Sequence, residues 1–262
     1  MIKTTEQVAS ADGTLIAYQR QGDGPVLIMV GGGLDDGSEN GPLAAELADT
    51  FTVINYSRRG RGDSTDTAPY AVERELEDLA ALAAEAGSDP VRLFGASSGG
   101  ALALEAAAAG LAVDRVAVYE VPYLIGDEAV RSWREYVSEV TAIVADGRPD
   151  DALARFMKLA GMGEADIDGA RTSPEWAASS ALAHTLPYDA ACLGDGSPPQ
   201  RFEGLGVPVL VIIGDQGREL FEPAAVALTE TLPNATRRDL AGQGHVADPA
   251  TLADELRGFL AG

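Results

Sequence analysis

The chain has 262 residues, 46% hydrophobic and 23% charged, enough apolar material for one sizeable core and too much for a disordered chain. No run of about 20 apolar residues occurs, so no membrane-spanning helix is expected. With 41 acidic and 19 basic residues the net charge is −22, which repels nucleic acid and anionic lipid and removes both as expected partners. The single cysteine, Cys192, has no internal disulfide partner, and Met1 to Gly13 carries one lysine and no apolar h-region. A cytoplasmic location is therefore expected.

Glu6 to Ala9 and Thr14 to Gln19 read as a strand hairpin around the turn signal Asp12-Gly13. The unbroken apolar runs Val26 to Val30 and Phe51 to Tyr56 read as strands buried on both faces, with a helix from Pro42 to Ala48 between them. Val72, Leu76, Leu79, Ala80 and Ala83 recur at helical spacing until Gly87 stops the run. A strand from Val91 to Phe94, a helix from Ser98 to Ala109 and a strand from Arg115 to Tyr119 follow. Strand signals then vanish between Tyr123 and Pro199, where Val130, Trp133, Val137, Val140 and Val144, and later Ala152, Phe156 and Leu159, are helical. Strand and helix resume at Val209 to Ile213, Pro223 to Leu232, Thr236 to Leu240 and Thr251 to Leu260. The expected fold is α/β, a doubly wound and mostly parallel sheet, with 1–122 and 200–262 as one core and 123–199 as a helical cap inserted into it.

Reactive side chains are few: two lysines (Lys3 and Lys158), two histidines (His184 and His245) and Cys192. No zinc spacing or HExxH occurs, so no metal is expected. Gly31-Gly32-Gly33 does not complete GxGxxG, because the last place is Asp36, and no GK[ST] is present, so no nucleotide or other cofactor is expected either. Arg58, Arg59 and Arg61 lie in a glycine turn and read as a structural loop. The adhesion tripeptide Arg61-Gly62-Asp63 has no supporting sign of export.

The sharpest signal is Gly95-Ala96-Ser97-Ser98-Gly99, set between an apolar strand and an alanine-rich helix. A turn that tight puts the serine in strained backbone geometry and leaves no room for side chains two residues either side. Ser97 would then stand at the carboxyl end of its strand, with the free N–H groups of the next helix aimed at the reacting oxygen. A serine hydroxyl needs a base, and His245, in the glycine-bearing loop Ala241 to His245 before the last helix, is well placed to supply it. His184 falls in the insertion and reads as a packed histidine, with substrate contact as the alternative.

In this order and spacing the chain resembles the α/β-hydrolase superfamily over essentially its whole length, and looks closest to its bacterial esterase and haloperoxidase-like branch. Gly31-Gly32-Gly33 after the third strand, Arg59-Gly60-Arg61-Gly62-Asp63-Ser64 after the fourth, the serine elbow and Gly244-His245 carry the resemblance. It implies an oxyanion hole built from the backbone N–H groups of Ser98 and Gly33. Two places depart from the family pattern: Gly31 stands where a histidine is common, and Ser57 where an aspartate is frequent. The usual acid position after the seventh strand falls on Gly217. By resemblance to members that carry their acid on the sixth strand, Glu120 is the first choice for the third triad member, Asp215 the second, and no acid at all the third.

The resemblance thus implies a cofactor-free hydrolase that attacks a small-molecule ester or related carbonyl through Ser97 and His245. Serine at the elbow argues against the aspartyl-ester chemistry of epoxide hydrolases and dehalogenases. The alternatives are a non-hydrolytic relative (cyclase, lyase or isomerase) and a ligand-binding protein with little turnover. The substrate would be met by the insertion, with Tyr123, Trp133, Trp176 and His184 as candidate contacts. No oligomeric state is read from the sequence.

Overall fold

The computed structural model describes residues 5–87 and 90–262; Lys3 and the first four residues of the stretch read for a leader lie outside them. The strands are β1 (Thr5–Ala9), β2 (Leu15–Gln21), β3 (Val26–Val30), β4 (Thr52–Tyr56), β5 (Val91–Ala96), β6 (Val113–Tyr119), β7 (Val209–Gly214) and β8 (Ala235–Leu240). They form one eight-stranded sheet in the order β1-β2-β4-β3-β5-β6-β7-β8. β1 and β2 pair antiparallel, β2 joins β4 antiparallel, and from β4 to β8 every pairing is parallel. The doubly wound, mostly parallel sheet expected from the sequence is present.

Every residue of β3, β4 and β7 is buried, which is why these segments are unbroken apolar runs rather than alternating ones. Successive side chains still take opposite faces. Ile28, Leu93, Val116 and Val211 pack against α2 (Val72–Ala86), α3 (Ser98–Ala108) and α9 (Arg218–Thr231). Leu27, Met29, Phe94 and Ile212 pack against α1 (Gly41–Leu47) and α10 (Pro249–Leu260) on the other face. The edge strand β8 (ATRRDL) exposes charge, which discourages pairing with another chain.

Helix ends follow local chemistry. Gly87 closes α2 at φ 65°, and Asp248 caps α10 by accepting the Thr251 N–H at 2.9 Å. One boundary differs from the sequence reading. Pro223 was expected near the start of a helix, yet α9 begins at Arg218 and Pro223 lies inside it. Its missing N–H removes one ladder bond, and the buried face formed by Phe221, Ala224, Ala225 and Leu228 holds the helix through that point.

Between β6 and β7 the chain forms α4 (Asp127–Ala145), α5 (Pro149–Leu159), α6 (Glu164–Ala170), α7 (Pro174–Leu182) and α8 (Leu186–Leu193). α8 packs on α3 and α2. There Cys192 is buried beside Arg58 and Glu75. Burial pushes its thiol up to about 12, with Arg58 opposing the rise and Glu75 and Asp189 adding to it. Because the thiolate is the reactive form, native Cys192 will not react with Ellman's reagent at about pH 8. Unfolding in guanidinium should release the thiol.

Candidate active site

Parallel strands deliver their carboxyl ends to one edge of the sheet. That edge receives the Gly31 to Gly33 loop after β3, Ser97 after β5, Glu120 after β6, Asp215 after β7 and His245 after β8.

Ser97 sits at φ 53° and ψ −128°, a conformation that costs a non-glycine residue about 1–3 kcal/mol. The crowding around it explains the flanking glycines. A Cβ on Gly95 would fall 2.3 Å from the Gly99 carbonyl oxygen, and one on Gly99 would fall 2.3 Å from that of Val30. The elbow is held by the Ser97 N–H donating to the Tyr119 carbonyl at 2.9 Å, and α3 starts at the next residue. Its first N–H groups have no intrahelical acceptor.

Glu120 is 1% exposed and also has positive φ, 48°. One carboxylate oxygen accepts the Gly214 N–H at 2.9 Å, and the other meets Nδ1 of His245 at 2.7 Å. With both carboxylate oxygens accepting, the proton of the neutral ring belongs on Nδ1, which leaves Nε2 as the free base. The His245 ring lies parallel to Phe221, with centroids 4.9 Å apart. Its loop is anchored by the Tyr119 hydroxyl, which donates to the Gly244 carbonyl, and by the Gln216 N–H, which donates to the Gln243 carbonyl at 2.9 Å. Asp215 has a different partner: its carboxylate accepts the Gly242 N–H at 2.8 Å.

Ser97 and His245 border the same cavity of about 760 Å³. Among the described residues no direct hydrogen bond joins the two side chains. Gly32, Gly33 and Ser98 border the cavity too, and a Cβ on Gly32 would come within 3.1 Å of that of Ser97. The Asp35 carboxylate takes the space a side chain at position 31 would need, since a Cβ on Gly31 would lie 2.3 Å from it. This accounts for glycine at that place. Burial raises the pKa of Asp35, while N–H groups of Glu39 and Gly37 work against the rise.

The insertion supplies Trp133, Tyr136, Phe156, Met157 and Leu186 to the cavity wall. Of the four side chains expected at substrate, Trp133 is on that wall, and Tyr123, Trp176 and His184 are not among its described lining residues. Tyr123 is buried in the core cluster, Trp176 donates to Asp150 at 3.0 Å, and His184 pairs through Nδ1 with the Ala181 carbonyl at 3.0 Å. Helical spacing identifies a buried face but not which cavity that face meets. No Lys or Arg is among the described lining residues, whereas Asp35 and Glu39 are. Among the described residues no cluster of three or more His, Cys, Asp or Glu is arranged to hold a metal ion, and no helix is long and apolar enough to cross a membrane.

The arginine turn carries more than its sequence suggested. Arg58, Arg59 and Arg61 are 1%, 0% and 1% exposed, so the arginine of the adhesion tripeptide is buried while its glycine and aspartate are exposed. Arg59 pairs with Asp78 at 2.7 Å and Asp12 at 2.9 Å. Arg58 bridges Glu75 at 2.6 Å and Asp189 of α8 at 2.7 Å, and Arg61 grips both oxygens of Asp189 at 2.8 Å. One available signal was the spacing of Glu75, Asp78, Leu79 and Leu82, which puts two acids on the apolar face of α2. Asp189 had no such signal.

A model of the alpha/beta hydrolase family matches residues 26–255. The crystal structure of an alpha/beta hydrolase from Sphaerobacter thermophilus is 42% identical and superposes with a TM-score of 0.88, covering 97% of this chain and 100% of that one. A thermophilic esterase from Thermogutta terrifontis, 20% identical with a TM-score of 0.72 over 98% of each chain, shares the fold. Among curated proteins, the hydrolase YraK of Bacillus subtilis is 35% identical over 96 residues, which are 36% of this chain and 35% of that relative's length. An elbow serine, a histidine held by a carboxylate, the strand order and these matches point the same way: the chain belongs to the α/β hydrolase family.

Proposed function

We propose that the protein is a serine hydrolase that cleaves small, neutral, largely apolar esters or related carbonyl compounds, with Ser97 as nucleophile, His245 as base and Glu120 as the orienting acid. The 2.7 Å contact between His245 Nδ1 and Glu120, on the cavity that Ser97 borders, carries this reading. Nε2 takes the hydroxyl proton as Oγ bonds to the carbonyl carbon. The resulting oxyanion is met by the N–H groups of Gly33 and Ser98. Collapse expels the alcohol, protonated by His245, and water activated by the same imidazole releases the acid. No cofactor enters this sequence.

In this reading residues 1–122 and 200–262 are the catalytic core and 123–199 the cap that sets specificity. Trp133, Tyr136, Phe156 and Met157 favour an apolar or aromatic group, and a wall with carboxyl groups but no Lys or Arg disfavours an anionic one.

A fluorophosphonate probe should label the wild type and leave Ser97→Ala unlabelled, and hydrolysis of p-nitrophenyl butyrate by the variant should fall by about 10⁴-fold or more. Turnover that persists in Ser97→Ala would defeat the assignment. Glu120→Gln should lower kcat by up to about 10⁴-fold, because it destroys the tautomer control. Asp215→Asn, which keeps an acceptor for the Gly242 N–H, should stay within a few-fold of wild type. Comparable losses in the two would contradict the choice of Glu120. For acyl chains of equal length, kcat/KM should fall when a terminal carboxylate is added, and raising salt should narrow the gap.

A further inference from the structure

We propose that Arg61 and Asp189 are positioning residues for the oxyanion hole, holding the Gly32–Gly33 peptide and the first turn of α3 so that the N–H groups of Gly33 and Ser98 face the reacting oxygen. The inference rests on the Ser97 hydrolase reading and deepens it. Arg61 Nη1 donates to the Gly32 carbonyl at 2.5 Å. Gly32, Gly33 and Asp189 border the cavity and the buried Arg61 does not, so the guanidinium reaches the loop from the protein side. The peptide is trans, and in a trans peptide the carbonyl and the following N–H point in opposite directions. A carbonyl turned onto Arg61 therefore turns the Gly33 N–H away from the guanidinium, toward the cavity that Gly33 borders. The charge on the guanidinium also polarises the peptide and strengthens that N–H as a donor.

The second donor is tied to the same point. The Ser98 hydroxyl donates to Asp189 at 2.8 Å, and Arg61 donates to both Asp189 oxygens at 2.8 Å. Thr185 fixes the remaining edge of the guanidinium, accepting from Nε at 3.0 Å. One carboxylate from α8 thus holds both halves of the hole, one directly and one through Arg61. Burial alone would raise the pKa of Asp189, but Arg61 and Arg58 outweigh it and hold the carboxyl below its ordinary range, so it is charged wherever the enzyme is assayed near neutrality.

A cluster that merely staples the insertion to the core would affect stability and substrate binding together. A cluster that aims transition-state donors affects kcat and the binding of transition-state mimics, and leaves KM alone. The test compares wild type with Arg61→Lys and Ser98→Ala, which keeps the backbone N–H while cutting the tie to Asp189. Thermal midpoint, kcat, KM and the Ki of a trifluoromethyl ketone are measured for each. Losing a hole donor outright costs about 10²–10³-fold, so a misaimed donor should cost about 10–10²-fold in kcat, with Ki rising in proportion and KM within about threefold. Folded variants with wild-type kcat and Ki would overturn the proposal, as would losses confined to the thermal midpoint and KM. Should Arg61→Lys fail to fold, Ser98→Ala decides alone. A wild type that takes up no fluorophosphonate at Ser97 would instead refute the hydrolase reading, and the oxyanion role would fall with it.

Discussion

At Ser97 the chain passes from β5 into α3 with a single residue to spare, and the strand and helix approach so closely that backbone atoms occupy the places of two missing side chains. That closeness drives Ser97 to φ 53° and lifts its hydroxyl to the cavity. The strain, about 1–3 kcal/mol, is offset by the α3 face, where every residue from Ser98 to Ala106 is buried. Small residues there are a geometric requirement before they are a helix preference. The Gly31 to Gly33 loop fits against the elbow under the same restriction, so the proposed nucleophile and the proposed oxyanion donors share one tightly packed piece of backbone.

The proposed acid illustrates how a parallel sheet tolerates a change of strand. Glu120 sits one residue beyond β6, receives a backbone N–H from the end of β7 and reaches a histidine that follows β8. Three neighbouring strands are joined through one carboxylate. Asp215, on the more usual strand, ties its own turn to the histidine loop through Gly242. The two acids divide the labour: one faces the ring, the other the backbone that carries it.

How much was legible depended on the range of the determining contacts. Strands buried on both faces declared themselves as unbroken apolar runs, and the elbow declared itself because its glycines lie two residues either side of Ser97. His245 stood out because the chain has only two histidines. The Arg61–Asp189 pair was invisible because its members are 128 residues apart, and one lies in a helix whose docking follows from tertiary packing alone. Where the aromatic residues of the insertion sit depends on the same kind of packing. Helical spacing marked Trp133 as inward-facing, yet only the packed insertion shows that Trp133 lines the cavity while Trp176 donates to Asp150. Pro223 misled because a local rule about helix starts yielded to a buried apolar face.

The acidic character of the cavity wall bears on the end of the proposed reaction as well as its beginning. An ester arrives uncharged, but the acid it yields dissociates at neutral pH. Burial raises the pKa of both Asp35 and Glu39; wherever they are ionised, this wall, with no lysine or arginine to retain an anion, repels what has just been made. In the proposed reaction, departure of the acid would be driven by its own new charge, and the reverse reaction would be starved of a bound starting material.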